Sequence, residues 1–397
     1  MRILQIVPSL SLVYGGPSQM VLGLSKGLAR QGAEVTILTT DANGDRGQAP
    51  LDVPLDQAIE QSGYQIRYFR CSPFRRYKFS LGLLRWLHQN IHQYDLAHIH
   101  ALFSPVSSAA ATIARWHHFP YILRPLGTLD PADLQKKKQL KRLYAACLEK
   151  PNLAQAAAVH FTSDQEAKVS ERFGAVTRDL VMPLGVELPA STPCVDRSQW
   201  GIPEGVPVLL FMSRIDPKKG LDLLLPALEQ LAVEAVPFQF VLAGANPQDP
   251  EYEQQIRSRI QRSSLADRTT ITGFVAGEPK TQLLQLADLF VLPSYYENFG
   301  IAVAEAMTMG VPVLISDQVH IWPQIAQAEA GWICRCDQTD LTQQLRSALQ
   351  DPQARLQKGQ QAQAYATQHF SWEAIAQSML AVYQQIQTQS FAGQMHK

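Results

Sequence analysis

The chain has 397 residues, enough for two or three domains of about 150 residues each, and its 35 Lys plus Arg are balanced by 35 Asp plus Glu, which argues against a general affinity for nucleic-acid phosphates. Hydrophobic residues make up 46% and charged residues 18%, so wholesale disorder is excluded. The five cysteines, at 71, 147, 194, 334 and 336, are odd in number and lack CxxC spacing, which argues against a disulfide framework and a four-thiolate zinc site.

Short β-branched runs alternate with longer amphipathic stretches, the pattern of parallel strands joined by crossover helices, and the fold class is read as α/β. In the first half the expected strands are Arg2–Val7, Glu34–Thr39, Gln65–Phe69, Leu96–His100, Tyr121–Arg124 and Ala158–Phe161, with helices such as Ser18–Arg30, Leu81–His92 and Ser107–Trp116 between them. The rhythm restarts after Met182–Val186, and the second half is expected to hold strands Val208–Met212, Phe238–Ala243, Thr269–Thr272, Leu289–Leu292, Val313–Ile315 and Trp332–Cys334. Cys334 and Cys336 are placed on one strand with both thiols on the same face, and the Gln/Ala-rich tail from Gln353 to Gln389 has helical period. Gln5 and Pro8 interrupt the apolar N-terminus short of a secretory segment, and no run of about 18 apolar residues occurs, so a cytoplasmic protein with at most peripheral membrane contact is expected.

In open parallel sheets ligands bind beyond the carboxyl ends of strands, so the loops there carry the chemistry. Three stand out. The loop Val13-Tyr14-Gly15-Gly16-Pro17-Ser18 lets backbone approach a ligand closely and opens a helix whose free N–H groups attract phosphate, although an ordinary loop cap has the same composition. In Met212–Gly220, Arg214 offers a fork of donors and Lys219 a point charge, the pair that can hold a diphosphate without a metal; a solvated charged loop is the alternative. In Pro293–Ala306, Glu297 precedes a helix and Glu305 lies about two turns inside it, so the two carboxylates could accept hydroxyls from two polyols. The helix start beside Asn298, Phe299 and Gly300 favours an anion.

The Glu297 to Glu305 spacing resembles the E-x7-E signature of the retaining glycosyltransferases of family 4. The resemblance extends to Gly15-Gly16-Pro17, Ser213-Arg214, Lys219-Gly220, Gly273-Phe274 and the closing Phe370-Ser371-Trp372, in the family's order and across nearly the whole chain. It implies the GT-B fold: a Rossmann-like acceptor-binding domain at 1–186, a Rossmann-like donor-binding domain at 187–370, a cleft between them, and a helix at 371–397 crossing back to the first. It also implies transfer of a sugar from a nucleotide donor to a saccharide or lipid-linked saccharide in polysaccharide biosynthesis. Arg214 and Lys219 would bind the donor diphosphate, Glu305 the ribose hydroxyls, Glu297 the donor sugar, and the backbone near Asn298, Phe299, Gly300 and Ile301 the sugar or its phosphate. Gly15 and Gly16 would lie by the β-phosphate and Phe274 by the nucleobase, with Gly244 also in the donor set.

No two aspartates are separated by one residue, so the D-x-D of metal-dependent transferases is missing; cationic groups are expected in place of a metal, with no cofactor. Retention without an obvious carboxylate nucleophile implies front-side attack. Many relatives carry His-Gly where this chain has Leu126-Gly127, so His100, Arg124 or Asp130 is a candidate substitute for the sugar-contacting histidine, His100 in a catalytic set with Glu297, Arg214 and Lys219, and Arg124 and Asp130 on the acceptor side. His100 itself either meets the sugar or is a buried, satisfied histidine. His88 and His92, i and i+4 on one helix without HExxH, are read as surface or packing residues. Two basic stretches, Pro73–Phe79 and Lys136–Tyr144, are solvated faces or a docking edge for anionic membrane or a lipid diphosphate. Two rival readings remain: a nicotinamide-dependent oxidoreductase, with Asp41 as the ribose acid but no GxGxxG, and a non-catalytic two-lobed sugar-binding protein, for which an export signal is missing.

Overall fold

The computed structural model describes residues 1–14, 16–44, 48–72, 78–130, 134, 138–188 and 195–395. Gly15, most of the Pro73–Phe79 stretch, Lys136, Lys137 and Cys194 therefore lie outside the described residues. The chain divides into two compact units, Met1–Gly185 with Trp372–Lys397, and Val186–Ser371.

The first unit is built on eight strands: β1 (Arg2–Ser9), β2 (Glu34–Thr40), β3 (Ala58–Gln61), β4 (Tyr64–Phe69), β5 (Leu96–His100), β6 (Tyr121–Arg124), β7 (Ala158–Phe161) and β8 (Asp179–Val181). They form one sheet in the order β3-β4-β2-β1-β5-β6-β7-β8, parallel throughout except for the β3–β4 hairpin. Its inner strands are covered on both faces, which is why β1 and β5 read as nearly continuous buried runs rather than alternating ones. Helices Leu81–Asn90 and Pro105–Trp116 cover one face through Leu83, Leu87, Val106 and Ala110.

Helix Gly16–Arg30 and the C-terminal helix Trp372–Met395 cover the other face, the latter burying Ile375, Ala376, Met379, Tyr383 and Ile386 at helical spacing. Each large apolar side chain so buried contributes about 1.5–3 kcal/mol. Gly23 and Gly185 make room for Trp372: a Cβ at either position would fall inside the indole.

The second unit holds β9 (Val208–Met212), β10 (Gln239–Ala243), β11 (Thr269–Gly273), β12 (Leu289–Leu292), β13 (Val313–Ser316) and β14 (Gly331–Cys334), all parallel, in the order β11-β10-β9-β12-β13-β14. Counted within the unit, this is the 3-2-1-4-5-6 order of a doubly wound nucleotide-binding sheet. The order reverses between β9 and β12 here, and between β1 and β5 in the first unit.

The sequence pattern misses β3 and β8, two short edge strands with mostly exposed residues and no apolar alternation. Two further expectations are corrected. β14 ends at Cys334, because the Arg335 amide turns to donate to Asp340 Oδ2 at 2.7 Å and Asp337 caps the next helix, so Cys336 leaves the strand. The helix beginning at Leu81 ends at Asn90, which puts His92 in the following 3-10 turn, Ile91–Gln93.

Candidate functional site

The loops after β9 and β12, on either side of the reversal in the second unit, are tied together. Asp216 Oδ1 accepts from Lys218 N at 3.0 Å and caps the turn Pro217–Lys219. Gly220 follows at φ 72° and opens the helix Leu221–Val233. A side chain there would be strained by the left-handed backbone and would also strike the Pro293 carbonyl, so only glycine allows the loops to approach this closely. Across the gap, Tyr295 N donates to Lys218 O at 2.9 Å, and Tyr295 Oη donates to Asp222 Oδ2 at 2.8 Å.

This brings Lys219 Nζ into an ion pair with Glu297 Oε2, the lysine side chain 13% and the glutamate 23% exposed. Glu297 is held by its own backbone, which accepts from His320 N at 2.9 Å and donates to Gln318 O at 3.1 Å. Gly300, at φ 76°, opens the helix Ile301–Thr308 without a side-chain cap, an end with positive partial charge. Arg214 is exposed at the mouth of the β9 loop.

Glu305, inside that helix, meets Lys280 of the helix Gly277–Leu286: Lys280 Nζ to Glu305 Oε1 is 2.7 Å. Phe274, just past β11, is 79% exposed. Two members of the expected donor set are also packed within their own unit. Phe299 is buried with its ring edge-on to Phe370, centroids 5.2 Å apart, so its side chain belongs to the core and only its backbone can serve a ligand. Gly244 lies against the Ser213 carbonyl, where a Cβ would collide, which explains glycine there by packing alone.

In the first unit, helix Gly16–Arg30 starts at the end of the β1 loop, fastened by Ser18 Oγ donating to Ser11 O at 2.9 Å. Beyond it lies a buried polar layer made by β1, β5, β6, β7 and the C-terminal helix. His160 Nε2 lies 2.9 Å from Met182 O, an atom that can only accept, so Nε2 carries the proton and Nδ1 accepts from His98 Nε2 at 3.3 Å. His98 Nδ1 must then accept from Tyr383 Oη at 2.7 Å; Gln5 Nε2 donates to that oxygen at 3.4 Å, and Gln5 Oε1 accepts from His100 Nε2 at 2.7 Å. These bonds set the tautomers of the neutral rings, and burial favours the neutral form by pushing their pKa values down, His160 to about 3.

Of the two readings open for His100, the structure shows a buried one, but only half satisfied: the side chain has 0% exposure and Nδ1 has no partner among the described residues. Arg124, its register partner on β6, is 3% exposed. Asp130 is also buried, and Leu126 is left-handed at φ 58°.

Residues 15–185 match the family described as "Glycosyl transferase 4-like domain", and residues 195–365 that described as "Glycosyl transferases group 1". The chain belongs to the family 4 glycosyltransferases. It is 28% identical to a D-inositol 3-phosphate glycosyltransferase of Xylanimonas cellulosilytica over 94% of this chain and 92% of that one. Its fold is the GT-B fold of sucrose-phosphate synthase from Thermosynechococcus elongatus (TM-score 0.77, 23% identity, 97% and 99% of the two chains) and of Anabaena HepE, solved with UDP and glucose (TM-score 0.74, 22% identity, 97% and 100%).

Membership of this family overturns both rival readings. In the glycosyltransferase Asp41 is buried and its Oδ1 accepts from Cys71 N at 2.7 Å, so it organises a loop rather than presenting an acid for a ribose. His117, which the sequence did not single out, sits between His88 and His92: its Nε2 is 2.8 Å from His88 Nδ1 and its Nδ1 3.0 Å from His92 Nε2. Those nitrogens bond one another instead of converging, and among the described residues no group of three His, Cys, Asp or Glu is placed to hold a metal.

The basic helix Lys138–Tyr144 turns Leu140 and Leu143 outward, 64% and 65% exposed, and Lys141 Nζ lies 5.5 Å from the Phe103 ring centroid. Among the described residues no helix is long and apolar enough to cross a membrane. Lys280 is a neighbour of the candidate site that sequence reasoning missed. Nothing local marks it, because its partner Glu305 comes from another helix.

Proposed function

We propose that the enzyme moves a sugar from a nucleotide-sugar donor to a saccharide or lipid-linked saccharide, with retention of anomeric configuration, in polysaccharide biosynthesis. The Lys219–Glu297 contact beside the strand reversal carries the reading. A cation and an acid are there held together by hydrogen-bonded loops, the one suited to a diphosphate and the other to sugar hydroxyls.

On donor binding the diphosphate takes over Lys219 and engages Arg214, and Glu297 is released to accept hydrogen bonds from the sugar hydroxyls. Glu305 accepts from the ribose hydroxyls, with Lys280 orienting its carboxylate. The bond between the anomeric carbon and the diphosphate oxygen breaks with its electron pair going to the phosphate. The acceptor oxygen forms the new bond on the same face, and its proton passes to the departing phosphate oxygen. Charge grows on that phosphate, where fixed cations and the helix start at Gly300 stabilise it without reorganisation, so no divalent metal is needed. The first unit takes the acceptor, at the edge where His100, Arg124 and Asp130 end or follow their strands. The name of the Xylanimonas relative and the UDP and glucose in the HepE structure support this reading.

The test is a panel of UDP-, GDP- and ADP-linked sugars, scored by thermal stabilisation and by turnover with and without EDTA, with proton NMR of the product anomer. One nucleotide class should stabilise the protein, survive EDTA and give product of the donor's anomeric configuration. Inverted product sinks the retaining mechanism, and a panel without binding or turnover sinks the donor assignment.

A further inference from the structure

The first unit buries a charge, Arg124, that makes no close ion pair among the described residues. Arg124 ends β6 with 3% exposure, and its Nε has no hydrogen-bond partner among the described residues. Buried guanidinium groups are ordinarily paired, because removing a charge from water without a partner is costly. Glu166 favours the charged form of Arg124 from a distance without bonding it, its Oε2 accepting from Thr162 N and from Thr162 Oγ1, each at 2.7 Å. The three neighbouring histidines are held towards the neutral form by burial and supply no negative charge. Burial lowers the pKa of Arg124 to about 10, which still leaves it charged at neutral pH.

Its place in the fold fits a ligand rather than a core strut. Arg124 lies at the carboxyl end of its strand, on the strand next to β5, where the sheet order reverses. Its register partner His100 contributes a second unfilled atom, the acceptor Nδ1. The loops that leave these two strands hold three left-handed residues that are not glycine, Ala101 at φ 67°, Phe103 at φ 57° and Leu126 at φ 58°. Such backbone is uncommon, clusters at functional sites, and keeps the two strand ends in a fixed arrangement.

We infer that Arg124 anchors an oxyanion subsite, so that the acceptor carries a phosphate whose oxygens take the guanidinium fork. A phosphate that keeps one proton also satisfies His100 Nδ1, the bare acceptor beside it. The inference rests on the reading of this unit as the acceptor side. It adds that the acceptor is anionic, either as a sugar phosphate or as a lipid-linked phosphate.

The test uses the full chain carrying Arg214→Ala and Lys219→Ala, which removes the cations assigned to the donor. Inorganic phosphate, titrated calorimetrically into this variant, should bind at one site, and Arg124→Met added to it should weaken that binding at least tenfold. Arg124→Lys, which keeps charge but not the fork, should fall between. If the variant with Arg124 intact binds no phosphate, the proposal is overturned without any change at 124, so a misfolded Arg124→Met cannot rescue it. Unchanged phosphate binding by a folded Arg124→Met or Arg124→Lys also overturns it. Competition by hexose 6-phosphate supports the soluble source, competition by phosphatidylinositol vesicles the lipid source, and competition by neither refutes the acceptor role. A parallel titration of the unsubstituted chain with UDP, GDP and ADP tests the donor reading separately, since its failure leaves the phosphate result at Arg124 standing.

Discussion

The two units place polar chemistry at the same position in their sheets and handle charge in opposite ways. In the second unit the acids and cations are only partly covered, with Lys219 and Glu297 at 13% and 23% exposure and Lys280 and Glu305 at 28% and 18%, and each neutralises its partner. In the first, His98 and His100 at 0% and His160 at 2% are buried, and their proton positions follow a one-way chain of hydrogen bonds. Partly exposed ion pairs contribute little to stability, so a ligand can take their place cheaply. A buried polar layer instead depends on every partner being present, and it ties the fold of its unit to protonation. The second region therefore holds exchangeable contacts, and the histidine layer of the first a fixed scaffold.

The sharpest way to break the comparison is to remove a charge from the second unit. Lys219→Ala should lower kcat/KM by about 10²–10³, roughly 3–4 kcal/mol of lost transition-state stabilisation. The melting temperature should move by no more than a degree or two. A large fall in melting temperature with turnover retained would make the pair structural and erase the contrast.

Acid should do the reverse and act on the first unit. The folded pKa values of His98, His100 and His160 lie below the unfolded value of about 6.5, so the unfolded chain binds more protons. The stability contributed by the neutral layer is thus complete above about pH 6.5 and is lost as pH falls below it, down towards about 3 for His160. With up to three protons taken up on unfolding, the slope reaches about 4 kcal/mol per pH unit. Urea denaturation at pH 7, 6 and 5 checks this, with a flat profile as the contrary result. Fluorescence of Trp86, which packs on the first unit's core, can follow that unit.

The same contrast explains what could be read from the amino-acid sequence. Inner strands such as β9 and β12 are apolar on both faces, and that signal is carried by each segment alone. Edge strands β3 and β8 are held by backbone ladders at exposed positions, so their side chains carry no pattern. Glu297 and Glu305 are legible because one loop and one helix fix their spacing. Lys280 and Tyr383 are not, since Lys280 reaches its partner from a separate helix and Tyr383 reaches His98 across 285 residues of chain. Chemistry encoded within one segment survives in sequence; chemistry assembled by packing does not.

Lys280 offers the smallest and most discriminating change. It lies 2.7 Å from Glu305 in a partly exposed pair, where charge pairs are worth up to about 1 kcal/mol. Lys280→Met should therefore raise the donor KM by about threefold to fivefold and leave kcat nearly unchanged, as expected when an interaction serves ground state and transition state alike. Lys280→Arg, which can still meet the carboxylate, should restore most of the lost affinity. A fall in kcat with unaltered KM would instead place Lys280 among the groups that act on the departing phosphate, and the division of labour between Lys219 and Lys280 would have to be redrawn.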